Sequence, residues 1–245
     1  MINNLYKKFR RFGLALLACG LLNPDEDALA QSKKEEISPA KFSLDVNSKY
    51  LLRGVPLSDM FVLQPSLTLT KGGITSSVFG VIDPNGKDAN EADILVDYTK
   101  ALNNRLNLSV GYSYINFPDI GEKTQEVYSG LSFQNVRLKP SIFLYRDLDY
   151  LTGTYIEASV ANNFKLGKIN LEERLILAYN HNYFIDNSGF SHINASLSLP
   201  LKICNRAVLS GKVSYLKALN HYHIKDLGKD LNDKLVYGLG INLEL

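Results

Sequence analysis

Few residues in this chain have types and spacing suited to chemistry. A Ser/His hydrolase needs a hydroxyl, an imidazole to take its proton and a polar group to orient that imidazole. The stretch that brings such types together is His181, Asn187, Ser188, Gly189 and His192. Its spacing fits no hydrolase motif, and Ser and Asn are ordinary loop formers. His221-Tyr222-His223 places two imidazoles on one side of an extended segment, as a metal site would, but no carboxylate or third histidine lies at ligand spacing. Asp83-Pro84-Asn85-Gly86-Lys87-Asp88 begins like a cation loop and lacks the acidic twelfth position, so a Pro-Asn-Gly turn accounts for it. Gly-rich phosphate loops and Cys-x-x-Cys pairs are missing from the sequence, and Cys204 has no catalytic signature around it. The chain is therefore expected to need no cofactor and no metal, and not to be an enzyme; a lipid hydrolase is the weakest reading.

A second set of residues is informative through parity. Asp45, Lys49, Arg53, Asp93, Asp97, Glu126, Glu157, Arg174 and Lys212 fall on the polar side of segments that alternate polar and apolar residues. Period-2 alternation marks strands with two unlike faces. Phe42, Leu44, Val46, Tyr50 and Leu52 oppose Ser43, Asp45, Asn47, Lys49 and Arg53; Leu235, Tyr237, Leu239, Ile241, Leu243 and Leu245 oppose Val236, Gly238, Gly240, Asn242 and Glu244. Twelve such segments are expected, at 42–53, 62–70, 74–83, 92–100, 106–116, 125–134, 138–146, 153–164, 169–180, 192–199, 207–216 and 234–245. Most have the roughly 9–11 residues that a tilted strand needs to cross a bilayer.

The connections test this reading independently. Those at 71–73, 101–105, 135–137, 165–168 and 200–206 are turn-like, whereas 54–61, 84–91, 117–124, 147–152, 181–191 and 217–233 are mostly longer and more polar. An even strand count with alternating short turns and long loops points to an all-β transmembrane antiparallel up-and-down β-barrel of about 12 strands, its short turns periplasmic and its long loops outside. The rival is a secreted β-sandwich, which also alternates. A sandwich turns its polar parity to water and would carry many Lys and Glu there; here Ser, Asn, Thr and Gly are common, as for a narrow lumen. Tyr50, Tyr98, Tyr114, Phe117, Phe133, Tyr145, Phe164 and Tyr179 fall near segment ends, where an aromatic girdle would lie.

The start of the chain reads as a secretory signal. Lys7, Lys8, Arg10 and Arg11 precede the apolar run from Phe12 to Leu22, and Ala28-Leu29-Ala30 precedes Gln31. That run is shorter than the roughly 20 residues of a spanning helix. Cleavage after Ala30 is expected, and lipidation at Cys19 within Leu16-Leu17-Ala18-Cys19 is the alternative. Residues 1–30 are thus a signal peptide, 31–41 a charged flexible periplasmic tail and 42–245 the barrel. Processing leaves Cys204 with no disulfide partner in the chain.

Charge excludes one class of partner. The 27 basic and 25 acidic residues give a formal net charge of +2 and are spread along the chain, with no basic patch suited to nucleic acid. The expected partners are outer-membrane lipids and lipopolysaccharide, the barrel-assembly machinery during insertion, and small polar solutes. On the lumen side, mixed charges could pair into an electrostatic plug or line a pore. Strand count does not choose: twelve lies between the roughly eight of filled barrels and the roughly sixteen to eighteen of open porins.

Val46-Asn47-Ser48-Lys49-Tyr50-Leu51-Leu52-Arg53-Gly54-Val55-Pro56-Leu57-Ser58-Asp59, continued by Gln64-Pro65-Ser66-Leu67 and Ser77-Val78-Phe79-Gly80, resembles the opening of the TorF-type family of proteobacterial outer-membrane proteins. That family begins with a Ser-x-Tyr-x-x-Arg-Gly-Val-x-x-Ser motif and is regarded as barrel-forming, with no settled function. The resemblance covers about residues 43–83. It implies an exported barrel and brings no catalytic residues.

Overall fold

The computed structural model describes residues 40–84, 90–167, 169–225 and 228–245. The expected signal peptide, both processing sites, most of the tail and the centre of the 84–91 loop lie outside the described residues.

Among the described residues, sixteen strands follow one another: β1 (Lys41–Asn47), β2 (Tyr50–Leu52), β3 (Val55–Ser58), β4 (Val62–Lys71), β5 (Ile74–Val81), β6 (Glu91–Ala101), β7 (Leu106–Phe117), β8 (Glu122–Phe133), β9 (Ser141–Asp147), β10 (Thr154–Leu166), β11 (Ile169–His181), β12 (Ser188–Cys204), β13 (Ala207–Ala218), β14 (His223–Ile224), β15 (Lys229–Asp230) and β16 (Lys234–Glu244). Twelve of them close into one antiparallel barrel in the order β1-β16-β13-β12-β11-β10-β9-β8-β7-β6-β5-β4, with β4 returning to β1. The remaining two pairs, β2–β3 and β14–β15, are small hairpins. Closure rules out a sandwich, because every wall strand has two neighbours and none presents an edge.

Period-2 alternation explains the two faces. Leu67 and Leu69 of β4, Ile94, Val96 and Tyr98 of β6, and Leu235, Tyr237 and Leu239 of β16 are all well exposed, Leu239 at 63%. Apolar side chains in a continuous exposed band are stable against hydrocarbon and not against water. The opposite parity carries hydroxyls that pair across neighbouring strands: Ser43 with Ser66 at 2.6 Å, Thr68 with Ser77 at 2.9 Å, Thr99 with Ser109 at 2.6 Å and Ser141 with Ser159 at 2.8 Å. Each such pair is worth about 0.2–1 kcal/mol. This is why the inner face is rich in Ser and Thr.

At one rim the turns are tight. Gly72 (φ 59°) and Gly73 (φ 83°) form a two-residue hairpin loop with both central residues left-handed, the geometry that suits the twist of paired strands. Asn205 and Arg206 join β12 to β13 at the same rim, where Lys41 also pairs with Glu244. The longest connections, 48–61 and 219–233, lie at the opposite rim, but the expected alternation is not strict: 118–121 there is shorter than 134–140, which joins β8 to β9 at the tight-turn rim.

Several expectations are corrected here. The first segment does not run to 53: the wall strand ends at Asn47, and the chain turns inward to form β2–β3 from residues assigned partly to a loop. β9 begins at Ser141, not 138, after Pro140. β12 runs on to Cys204, past Pro200. Of the aromatic residues assigned to a girdle, Tyr98, Phe133 and Phe164 are exposed on the outside, while Tyr50 and Phe117 are buried inside the barrel.

Candidate functional site

The β2–β3 hairpin crosses the barrel interior near the long-loop rim. It turns at Arg53 (φ 49°) and Gly54 (φ 86°), a two-residue loop with both residues left-handed. Its root lies between β1 and β4, its flank reaches β6, and its tip reaches β8 through β12. On the β6 side Tyr50 donates its hydroxyl to both oxygens of Glu91, at 2.8 and 2.9 Å. At the tip, Arg53 Nη2 donates to Glu126 Oε1 and its Nε donates to the Tyr183 hydroxyl at 3.1 Å. Tyr183 in turn donates to Glu126 Oε2 at 3.1 Å, so both oxygens of this fully buried carboxylate are engaged. The Arg53 guanidinium lies 3.6 Å from the centroid of the Tyr145 ring, with Tyr155 and Tyr183 each at 5.5 Å.

Gly54 packs so tightly against His192 of β12 that an added methyl would overlap the imidazole. Beyond the tip, Val55 joins an apolar cluster with Ile115, Phe117, Tyr183, Ile185 and Ile224, drawn from wall strands and long loops. The hairpin is therefore a strap across the lumen, fixed by charge at one side, by a tyrosine–carboxylate bond at the other and by apolar packing above.

Each residue expected in the lumen can now be placed. Asp93 and Glu126 are buried inside the barrel. Asp97 accepts hydrogen bonds from Thr99 at 2.7 Å and from Tyr128 at 3.1 Å. Arg174 donates to Glu157 at 2.9 Å on neighbouring β11 and β10. Lys212 stands 3.9 Å from Asp45, nearer the short-turn rim. Arg53 enters the lumen on the hairpin and not from the wall. Lys49 lies apart from them, in the connection between β1 and β2, 3.3 Å from Asp59.

Two cavities lie on the tight-turn side of the strap. One, of about 550 Å³, sits directly against it and is lined by Arg53, Glu91, Asp93, Glu157, His192 and Asn194 among others. The second, of about 410 Å³, opens at the short-turn rim beside Lys41, Asp45, Glu172, Arg206 and Lys212. Glu91, His192, Asn194, Tyr145 and Tyr183 were not singled out by the sequence as lumen residues. Glu91 and Tyr183 sat in segments read as outer loops, and Tyr145 was assigned to a girdle.

Outside the lumen, a latch holds the long-loop rim. Asp59 accepts from Lys234 at 2.8 Å and from Lys49 at 3.3 Å. Partial burial works upward on this carboxyl, but the two lysine hydrogen bonds outweigh it and hold it below the usual range. Asp233 is held lower still, at about 2, by hydrogen bonds from Lys217 and Tyr215.

Of the hydrolase-type residues, His181 and Ser188 face each other in the register of β11 and β12, and the imidazole Nδ1 meets the hydroxyl. Both are exposed on the rim. His192 points instead into the barrel, where it meets Ser191 at 3.1 Å and Tyr155 at 3.5 Å. His223 lies 3.2 Å from Asp230. Among the described residues, no three His, Cys, Asp or Glu side chains gather as a metal site would require.

No family model and no curated protein matches the chain. Solved structures do. The NanC porin superposes with a TM-score of 0.58 at 12% identity, covering 83% of this chain and 100% of that one. The KdgM porin, solved in complex with disordered oligogalacturonate, gives a TM-score of 0.57 at 10% identity over 84% and 98%. The likeness is one of fold. At such identities it transfers a closed barrel of this size and no solute.

Proposed function

We propose that the chain is exported through residues 1–30 into the outer membrane and acts there as a narrow passive pore for small polar solutes. The observation that carries this reading is the polar interior, which holds charged side chains and two cavities between the short-turn rim and the strap. A basic side chain facing hydrocarbon near the midplane would cost about 2–4 kcal/mol, so Arg174 and Lys212 find their natural place in a wet lumen. Porin-type neighbours support the barrel type and location. Lipids and lipopolysaccharide surround it, and the assembly machinery inserts it. The segment that resembles the TorF-type opening includes the strap and its approach.

A second reading is an occluded structural barrel, favoured by the apolar cluster that fills the long-loop rim above Val55. Conductance of the refolded protein in a planar bilayer separates the two: discrete channels support the pore, and a silent barrel overturns it. Tags at Gly72 and Asn187 test orientation in intact cells. Labelling at 187 alone is expected, and labelling at 72 alone would invert the topology. No catalysis is expected, despite the His181–Ser188 contact. Phospholipid release lost on Ser188→Ala would refute that.

A further inference from the structure

The two rims of the barrel carry opposite charge. The wall strands are joined at the tight-turn rim through 72–73, 102–105, 134–140, 167–168 and 205–206, and at the opposite rim through 48–61, 82–90, 118–121, 148–153, 182–187 and 219–233. Each connection of the first set has a Lys or Arg in it or within two residues of it: Lys71, Arg105, Arg137, Lys165 and Arg206, all exposed. None of that set contains an Asp or Glu. Each connection of the second set contains an Asp: Asp59, Asp83, Asp119, Asp149, Asp186 and Asp233.

Acidic residues close to the tight-turn rim do not cancel this. Glu172 and Glu244 line the cavity at the lumen mouth, where Lys41 and Arg206 also stand, and Glu173 of β11 accepts from Asn162 at 3.0 Å. The basic positions recur at every second gap between strands in the closed order, so they surround the barrel instead of forming a patch on one side. A globular partner would meet one side or the mouth. What meets the whole circumference of a spanning barrel is the headgroup layer of the leaflet around it. Lys100 shows the fit: it shares the outward parity of Ile94, Val96 and Tyr98 on β6 and ends that apolar face just beyond the Tyr98 ring, where a long stem can lie along apolar surface and carry its ammonium to a headgroup.

Resting on the reading of the chain as an outer-membrane barrel, we propose that the tight-turn rim is a binding surface for anionic phospholipid headgroups, with Lys71, Lys100, Arg105, Arg137 and Lys139 among the groups that meet their phosphates. The attraction of each cation for an anionic lipid surface falls off within a Debye length, about 8 Å at physiological salt, so only cations at the rim contribute. The aspartates of the opposite rim repel the same headgroups. The barrel is thereby matched to a bilayer whose two surfaces differ in charge. The preference belongs to the rim itself and holds whichever way the barrel faces the cell.

The test uses the full chain refolded into phosphatidylcholine vesicles that carry a trace of acyl-chain spin-labelled lipid, either phosphatidylglycerol or phosphatidylcholine. Electron paramagnetic resonance reads the fraction of each label immobilised at the barrel. Phosphatidylglycerol is expected to be enriched about twofold or more, an effect lost in about 1 M NaCl, where the Debye length shrinks to about 3 Å. Lys100→Gln with Arg105→Gln and Lys139→Gln should lower the enrichment. Lys123→Gln with Arg146→Gln and Lys225→Gln removes as much charge at the opposite rim and should leave it in place, and the N-terminal cations are common to both variants. Equal immobilisation of the two labels in the wild type, enrichment that survives the salt, or equal losses in the two triple variants would overturn the proposal. The salt comparison needs no variant, so a triple substitution that fails to fold does not spare it. Conductance, measured separately, tells the two proposals apart. A conducting barrel that shows no lipid preference defeats only the rim, and a silent barrel that enriches phosphatidylglycerol defeats only the pore.

Discussion

The Arg53 guanidinium lies 3.6 Å from the centre of the Tyr145 ring while its Nη2 donates to Glu126. One side chain from the strap therefore engages a wall aromatic and a wall carboxylate at once. Arginine suits this position because its planar fork can donate hydrogen bonds while its face stacks on a ring. The left-handed backbone at Arg53 is what aims the side chain forward from the hairpin tip.

Arg53→Ala should therefore do more than remove a contact. Glu126 would be left buried and without its cation, and breaking such a pair costs about 3–5 kcal/mol. The variant is expected to unfold at lower denaturant concentration and, where it folds, to conduct more because the strap is loosened. Arg53→Lys should recover only part of the loss, since an ammonium keeps the charge and not the fork. Denaturation curves with single-channel recordings check both points. Unchanged stability and conductance in Arg53→Ala would show that the strap is not held by this residue.

Glycine substitutions separate crowding from backbone strain. Gly54 and Gly72 are both left-handed, at φ 86° and 59°. A Cβ at Gly54 would overlap the His192 ring, whereas one at Gly72 meets nothing. Gly72→Ala is expected to cost only the backbone penalty of about 1–2 kcal/mol. Gly54→Ala should in addition displace the strap and open the 48–61 segment to proteases. Similar protease patterns in the two variants would contradict the packing shown here.

The wall was legible and the strap was not, for a physical reason. Period 2 reports which side chains share a face, so strands such as β7 and β16 emerge from the sequence within a residue or two of their ends. It cannot report whether a strand lies in the wall or inside it. Tyr50 and Leu52 keep the parity of Phe42 and Leu44, and so the first segment read as continuous. The hidden signal was Arg53-Gly54 between Leu52 and Val55, a left-handed pair whose usual first residue is Asn or Asp. Pro200 misled in the other direction. β12 pairs with β11 only as far as Ser198, so Pro200 sits where that side of the strand has no partner to receive a donor, and the strand continues to Cys204. The residues around the cavity converge from β6, β10 and β12, and no local pattern records that convergence.

The latch at the long-loop rim should respond to acid in a defined window. The carboxyls of Asp59 and Asp233 are both depressed in the folded state, the second to about 2. A depressed carboxyl contributes stability above its unfolded value, near 3.9, and loses it as pH falls through the folded value. Between pH 7 and 5 the rim should thus be unchanged, and from about pH 4 downward to 2 it should open. Hydrogen exchange in residues 57–61 and 228–234 measures this. Opening already at pH 6 would rule the latch out, and Asp59→Asn should remove the response near Lys234.

Ion preference offers the sharpest test of the lumen carboxylates. Asp93 lines the cavity below the strap, and Asp97, four residues further along the same face of β6, accepts from Thr99 and Tyr128. Arg53 and Arg174 are each paired with a glutamate, and so contribute less field to a passing ion than an unpaired charge would. Charges that line a pore set which ions it favours. Asp93→Asn with Asp97→Asn should therefore shift reversal potentials in a salt gradient toward anions. Both are near-isosteric changes, so the barrel should retain its heat-modifiable gel mobility. A folded double variant with the wild-type reversal potential would mean that ions do not pass β6, and the pore would have to run elsewhere or not at all.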